Sequence, residues 1–136
     1  MAGFKHVELT RRVLKVFYDV YNEIGFGYLE SVCQRAMQLA LREDGLAFEA
    51  QRPLTVWFRG RAVGQFKADL IVQDVVLVEL KCTRALERAN EAQVLNYLRA
   101  TTIEIGLLLN FGPAPQVRRL VFTNERKRAQ NLRSSA

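Results

Sequence analysis

The sequence has little of the chemistry that binds zinc or crosses a membrane. His6 is its only histidine, and the two cysteines, Cys33 and Cys82, lack metal-ligand spacing, which argues against a zinc site built from Cys and His. Both cysteines stand in apolar surroundings, so we expect reduced core residues of a cytosolic protein. No apolar run approaches the roughly 20 residues that span a bilayer, and no signal-peptide pattern is present. We therefore expect a soluble, cytoplasmic protein with no membrane partner.

Length and charge narrow the class of protein further. The 136 residues are enough for one domain with a single sizeable core, and the apolar (49%) and charged (25%) fractions are those of an ordinary globular protein. The net charge is +6, and arginines outnumber lysines by 15 to 5. Because a guanidinium binds phosphate through two parallel hydrogen bonds, this excess suits an anionic partner. Charge alone does not decide the matter, since many basic proteins bind nothing anionic.

Hydrophobic periodicity predicts a mixture of helices and strands. The predicted elements are helices over residues 6–24 (closed by Gly25) and 28–43, a hairpin over 54–66 that turns near Arg59–Gly60, strands over 67–72 and 75–81, a helix over 85–100, and strands over 104–110 and 116–122. The order ααββββαββ predicts one α/β (mixed α+β) domain over residues 1–123, with a mixed central sheet flanked by helices. Residues 124–136 are basic and lack periodicity, so we expect a mobile tail.

The most β-prone segment, "FKADLIVQDVVLVELKC", carries three charges: Asp69, Glu79 and Lys81. Burying an unpaired charge costs several kcal/mol (roughly), so a chain that only needed to fold would avoid them. Side chains alternate along a strand, which places Glu79 and Lys81 on one face. Asp69 joins them there only if it lies opposite Glu79, which requires an odd-length turn centred on Asp74, because a one-residue slip would send the carboxylates to opposite faces.

Two converging carboxylates beside an ammonium group predict a divalent-metal site. Like charges this close raise each other's pKa unless a cation lies between them. Mg²⁺ is often held by one or two carboxylates together with water and substrate phosphate. In such a site Lys81 would orient or deprotonate the attacking water, or neutralise developing charge. The alternative is a carboxylate–lysine pair on the wet face of a sheet.

Asp69 followed by Glu79-Leu80-Lys81 resembles the signature of the PD-(D/E)XK nuclease superfamily, with Ala68 in place of the usual proline. Three further stretches strengthen the resemblance, which covers roughly residues 5–122. "GYLESVC" resembles the motif that names the GxxExxY proteins, "QVLNY" resembles a QxxxY helix, and "GLLLNFG" resembles the strand and turn that follow it. The last position of the naming motif is Cys33 rather than tyrosine, and we expect this departure to affect packing more than chemistry.

The resemblance implies a restriction-endonuclease-like core and a Mg²⁺- or Mn²⁺-dependent nuclease. It implies metal ligands at Asp69, Glu79, the main-chain carbonyl of Leu80 and Glu30, and further catalytic residues at Lys81, Gln93 and Tyr97. Two alternatives stay open. Glu30 is also explained as a surface carboxylate that the helix dipole stabilises, and Gln93 and Tyr97, four residues apart on one helix face, are also explained as a core tyrosine beside an incidental glutamine.

The expected partner is nucleic acid, DNA cut with little sequence specificity, because the chain has little room for a sequence-reading module. We expect phosphate contacts from Arg84 and Arg88, one helical turn apart after Lys81, and from Lys67. The sequence does not separate a DNA-directed from an RNA-directed enzyme, and a targeting partner protein would also be compatible with it. The alternative is a non-catalytic module of the same fold that binds nucleic acid or assembles as a homo-oligomer.

Overall fold

A five-stranded mixed sheet with helices on both faces forms the centre of the protein. The computed structural model describes the backbone of residues 6–135 and the side chains of residues 6–129. The elements are α1 (Val7–Ile24), α2 (Glu30–Glu43), β1 (Phe48–Phe58), β2 (Arg61–Val72), β3 (Val76–Lys81), α3 (Arg88–Arg99), β4 (Ile105–Phe111), β5 (Pro115–Val121) and α4 (Asn124–Ser135). The strands lie side by side in chain order, and β3 and β4 are parallel while the other neighbours are antiparallel. The predicted fold class is confirmed.

The sheet separates two hydrophobic cores. One face packs against α1 and α2 through residues such as Phe17, Met37 and Val78, and the other packs against α3 through residues such as Leu77 and Leu98. Because β3 and β4 are covered on both faces, they are continuous apolar runs, as expected of parallel strands. Against this background, the two buried carboxylates of β2 and β3, Asp69 and Glu79, require specific partners.

The long strand β2 joins two segments that the sequence predicts as separate strands, the second half of the hairpin and residues 67–72. Phe48 and Leu70 belong to the α1–α2 core, whereas Leu54 and Phe66 belong to the α3 core. All four residues have even numbers, so an uninterrupted alternation would place the two residues of each strand on the same face. The alternation is therefore broken once in each strand, between residues 48 and 54 of β1 and between residues 66 and 70 of β2. We call this place, residues 51 and 69, the crossing point.

The chain after β5 forms α4, where the sequence pattern predicts an aperiodic tail. The first turn is tied down: the Thr123 hydroxyl accepts from the Arg126 N–H at 3.1 Å, and the Lys127 ammonium donates to the carbonyls of Thr101 and Ile103 at 2.8 and 2.7 Å. These side-chain bonds to a distant turn stabilise a helix that lacks an apolar stripe of its own. Within the described residues, no helix combines the length and the apolar character needed to span a bilayer.

Candidate active site

The turn between β2 and β3 sets the register of the two charged strands. Leu70 lies opposite Val78 and Val72 opposite Val76, so the same register places Asp69 opposite Glu79. The connection is the three-residue turn 73–75, in which Gln73 and Asp74 have positive φ angles of 54° and 58°. The predicted odd-length turn is therefore confirmed, and the strand pairing that the motif requires is present.

Asp69 and Glu79 lie where the two strands stop pairing through their backbones. The Asp69 N–H donates to Glu79 Oε1 at 3.1 Å, and the Leu80 N–H donates to Asp69 Oδ2 at 2.8 Å. Each carboxylate thus satisfies a buried backbone donor of the opposite strand, and only 9% of Asp69 and 3% of Glu79 is exposed. These bonds fix both side chains in place without an ion pair.

The environment of Glu79 disfavours its negative charge. Burial is the main cause that raises the pKa of Glu79 to about 8, and the charge of Asp69 adds to the rise. The hydrogen bond from the Asp69 N–H and the charge of Lys81 lower this pKa. A carboxyl group with such a pKa retains its proton near neutrality unless a cation takes the proton's place. A positive ion that binds to Asp69 and Glu79 would therefore replace the proton of Glu79.

Two glutamines that the sequence reading did not single out support Asp69 from the side of α2. The Gln34 side-chain amide donates to Asp69 Oδ1 at 2.9 Å, and the Gln51 amide donates to Gln34 Oε1 at 3.0 Å. Gln51 has a φ of 55° in the middle of β1, at the crossing point. Gln34 could have been found from its position one helical turn after Glu30, whereas the backbone of Gln51 gives no signal in the sequence.

Lys81 and Glu30 frame the carboxylate pair. Lys81 is half-buried at the end of β3, and within residues 6–129 its ammonium has no hydrogen bond or salt bridge. Glu30 is the first residue of α2; desolvation raises the pKa of its carboxyl group, the charge of Lys81 lowers it and that of Asp69 raises it. Glu30 is therefore near enough to both to interact through charge, yet among the described side chains no three acidic, cysteine or histidine groups lie close enough to hold one ion.

Gln93 and Tyr97 occupy one face of α3, as their spacing predicts, and they are bonded to each other. The Gln93 amide donates to the Tyr97 hydroxyl at 3.1 Å. Burial raises the pKa of Tyr97 to about 12, and the charges of Glu79 and, less strongly, Asp69 contribute to the rise. The Tyr97 ring also meets the ring of Phe66 edge-on, with centroids 5.1 Å apart. Tyr97 is thus a neutral donor beside the carboxylates and ties α3 to β2.

The basic residues predicted to contact phosphate are exposed, but their arrangement differs from the prediction. Helix α3 begins at Arg88 instead of Ala85, because Glu87 caps it together with Asn90, so Arg84 lies in the preceding loop and not one helical turn away. Lys67 is exposed on β2. The loop that carries Arg84 leads directly out of the site.

That loop is held by Asn110, a third residue that the sequence prediction does not include, although it interrupts the apolar run "GLLLNFG". Fully buried, Asn110 accepts from the Thr83 N–H at 2.9 Å and donates to the Thr83 carbonyl at 3.0 Å. Gly112 lies so close that a Cβ there would stand 2.6 Å from the Thr83 carbonyl oxygen. The residues after Lys81 are therefore fixed by β4 and the turn that follows it.

The cysteine that replaces the motif tyrosine packs against the other cysteine. Cys33 on α2 is buried, and its sulfur lies 3.3 Å from that of Cys82, the residue after Lys81. Burial raises the pKa of both thiols, that of Cys82 to about 12. Neutral thiols at this contact fill the space between α2 and β3.

The donor set fits a hard divalent cation. Two carboxylates on adjacent strands supply oxygen ligands, and the main-chain carbonyl of Leu80 lies between Glu79 and Lys81 on β3. Burial and the charge of Asp69 raise the pKa of Glu79, which a bound cation would lower. Mg²⁺ and Mn²⁺ suit oxygen ligands of this number and keep positions for water and phosphate. Glu30, outside the pair, completes no three-carboxylate cage in this structure.

Comparisons with known proteins bear on the fold and the family of this chain. The crystal structure of SSO0001 superposes with a TM-score of 0.57 at 14% identity, over 77% of this chain and 56% of the other, so the likeness concerns the fold and the chain spans little more than half of that protein. A search of curated proteins finds no match. A family model described as the PD-(D/E)XK nuclease superfamily matches residues 7–120. With most of its length matched, the chain belongs to the PD-(D/E)XK nuclease superfamily.

Proposed function

We propose that the protein is a metal-dependent nuclease that hydrolyses phosphodiester bonds, acting on DNA with little sequence specificity. The observation that supports this most is the meeting of Asp69 and Glu79 across β2 and β3, with Lys81 two residues along β3 from Glu79. A sheet that needed only stability would have apolar residues at these buried positions. Membership of the nuclease superfamily supports the same reaction.

Lys81 is the group that would act on the attacking water. Its ammonium has no protein partner among residues 6–129, it follows Glu79 by one strand repeat, and it is half-buried, so its charge is only partly screened. In this position it orients a water against the phosphorus or stabilises the negative charge that develops on the phosphoryl oxygens. Removing a group of this kind costs about 10²- to 10⁴-fold in rate.

Mg²⁺ or Mn²⁺ would be held by Asp69, Glu79 and the Leu80 carbonyl and would supply charge stabilisation and an acidified water. Gln34 and the Leu80 N–H hold Asp69, and the Asp69 N–H holds Glu79. Tyr97 and Gln93 limit the site on the side of α3. For Glu30 we propose an indirect role, through its charge and through bound water.

Three exposed cations precede or follow the carboxylate pair along the chain and would fit a phosphate backbone. Arg84, Arg88 and Lys67 are exposed, and we propose that they contact phosphates on either side of the scissile bond. The described residues build one sheet with a hydrophobic core on each face, and we propose that this unit acts as a single domain that cuts with little sequence preference. We also propose that the chain is a GxxExxY protein within the superfamily, on the strength of residues 27–33.

The proposal is tested by incubating purified protein with plasmid, linear duplex, single-stranded DNA and RNA, each with Mg²⁺, Mn²⁺ or EDTA. We expect cleavage with either metal, none in EDTA, and loss of at least 100-fold in Glu79→Ala and Lys81→Ala. Glu23→Ala, on the exposed surface of α1, is the matched control and should cut like the parent. Cleavage that survives Glu79→Ala would sink the assignment, because it would come from another site or a contaminant.

One observation favours a second candidate, a non-catalytic module that binds nucleic acid or assembles with copies of itself. Both Asp69 oxygens already accept hydrogen bonds, from Gln34 and Leu80, so the carboxylate is satisfied without an ion. Such a module would bind DNA equally well as parent and as Glu79→Ala, and neither would cut. Gel filtration over a range of concentrations would report self-association, and recovery of a stable complex from cells would report a targeting partner.

A further inference from the structure

The hairpin of β1 and β2 extends beyond the rest of the sheet as a two-stranded ribbon. β3 pairs with β2 only over Leu70–Val72, whereas β1 and β2 stay paired from Phe48 to the Arg59–Gly60 turn. The ribbon, residues 53–68, is fixed at its base because Leu54 and Phe66 pack in the α3 core and Phe66 contacts Tyr97. It is therefore a rigid projection attached to the candidate active site.

The tip of the ribbon exposes large apolar side chains that fold stability does not explain. Trp57, Phe58 and Val63 are 66%, 57% and 61% exposed. Trp57 lies opposite Ala62 and Phe58 opposite Arg61, so the two aromatic rings stand on opposite faces of the tip. Exposed aromatic rings gathered at one projection indicate a contact surface.

The charge of the ribbon identifies the chemistry of its partner. Arg59, Arg61 and Lys67 give it a charge of +3, and residues 53–68 contain no aspartate or glutamate although the chain has 14. The Arg59 guanidinium lies 4.9 Å over the Phe58 ring, so a cation and an aromatic ring are presented together. Aromatic rings that stack bases, beside arginines that bind phosphate, are the combination used by proteins that bind single strands.

We propose that the ribbon tip binds unpaired bases of a nucleic-acid strand, with Trp57 and Phe58 stacking on bases and Arg59 and Arg61 contacting phosphates. This deepens the proposed function, on which it rests for the identity of the substrate. Ala62 and Arg61, which lie opposite Trp57 and Phe58, are seven and eight residues from Asp69, so at about 3.3 Å per residue the tip stands about 23 to 26 Å from Asp69 along β2. That span corresponds to about seven or eight stacked nucleotides at 3.4 Å each. The substrate would be a single strand, or the unpaired arm beside a duplex.

The test uses the fluorescence of Trp57, the only tryptophan in the chain. Glu79→Gln protein with Mg²⁺, in which cutting is blocked, is titrated with a fluorescently labelled 12-nucleotide thymidine strand and with a 12-base-pair duplex. Anisotropy gives the affinity, and acrylamide quenching reports the exposure of Trp57. We expect the single strand to protect Trp57 from quenching, and we expect Trp57→Ala and Phe58→Ala each to lose about tenfold or more in affinity for it. A four-nucleotide strand should bind more weakly than the 12-nucleotide strand. Leu39→Ala, an equally exposed apolar residue on α2, should change nothing.

A second variant leaves Trp57 and Phe58 in place and tests the phosphate contacts separately. Arg59→Gln with Arg61→Gln should reduce the slope of log affinity against log salt by about 1.4, which is 0.7 for each single-strand phosphate. Three results would each overturn the proposal. Acrylamide could quench Trp57 as strongly at saturating single strand as without it, the duplex could protect Trp57 equally well, or concentrated protein alone could protect it. If the parent cuts nucleic acid but the single strand does not protect Trp57, the binding role of the ribbon is refuted and the nuclease proposal stands. If the single strand protects Trp57 but the parent does not cut, the nuclease proposal is refuted and the binding role of the ribbon stands.

Discussion

Replacing Glu79 by glutamine should make the metal-free protein more stable at high pH. A pKa raised from 4.5 to about 8 means that the folded protein keeps a proton that the unfolded chain releases. Stability from this group is therefore complete below about pH 4.5, falls as the pH rises, and is fully lost above about pH 8. At about 1.4 kcal/mol for each tenfold change in proton affinity, the loss is about 3 to 5 kcal/mol once coupling to Asp69 is allowed for. Glutamine keeps the oxygen that accepts from the Asp69 N–H but carries no charge.

The assay is urea unfolding of the parent and Glu79→Gln in EDTA from pH 5 to pH 9. The free energies of unfolding should be similar at pH 5 and should differ by about 3 to 5 kcal/mol in favour of the variant at pH 9. Glu23→Gln, at an exposed position, should follow the parent throughout. A difference between parent and Glu79→Gln that does not change with pH, or that favours the parent more as pH rises, would show that Glu79 is ionised in the fold at neutrality and would refute the reasoning.

Three further substitutions test the packing around the site by urea unfolding. Gly106→Ala places a Cβ 2.6 Å from Val94 Cγ1 and should cost about 1 to 3 kcal/mol by forcing α3 away from β4; an unchanged midpoint would show that α3 packs more loosely. Gly112→Ala should cost more, because the Cβ meets the backbone carbonyl of Thr83 at 2.6 Å, which cannot turn aside as a methyl group can; a smaller cost would contradict that contact. Gln51→Gly should be about 1 kcal/mol more stable than Gln51→Ala, because both lose the side chain while only alanine is strained at a φ of 55°; the opposite order would mean an extended backbone there.

Much of the fold and the register of the site follow from the sequence. Runs of β-branched residues and the parity of positions 69 and 79 decide which side chains meet, and only an odd-length turn agrees with two buried apolar faces. The end of α1 at Gly25 and the Arg59–Gly60 turn are equally local, which is why both are predicted correctly. At these places the turn residues and the pattern of buried apolar residues predict the same structure.

The rest depends on contacts between distant parts of the chain. Gln34 becomes a partner of Asp69 only because folding brings α2 to β2, and Gln51 of β1 in turn donates to Gln34. Asn110 finds its partner, Thr83, in the loop that follows β3. The late start of α3 follows from a glutamate cap that competes with the apolar pattern upstream of it. Asn110, a polar residue inside an apolar run, is the kind of sequence signal that indicates such a contact.

The two turns of β2 control different properties of the protein. Lengthening the Arg59–Gly60 end would extend the ribbon and alter how far it reaches, yet it would leave the acidic pair untouched, since their alignment is determined at residues 73–75. Adding one residue at 73–75 would instead turn one acid away from the other and abolish the carboxylate pair. Reach and chemistry can therefore vary separately on a single strand, which gives a direct route to engineer one without disturbing the other.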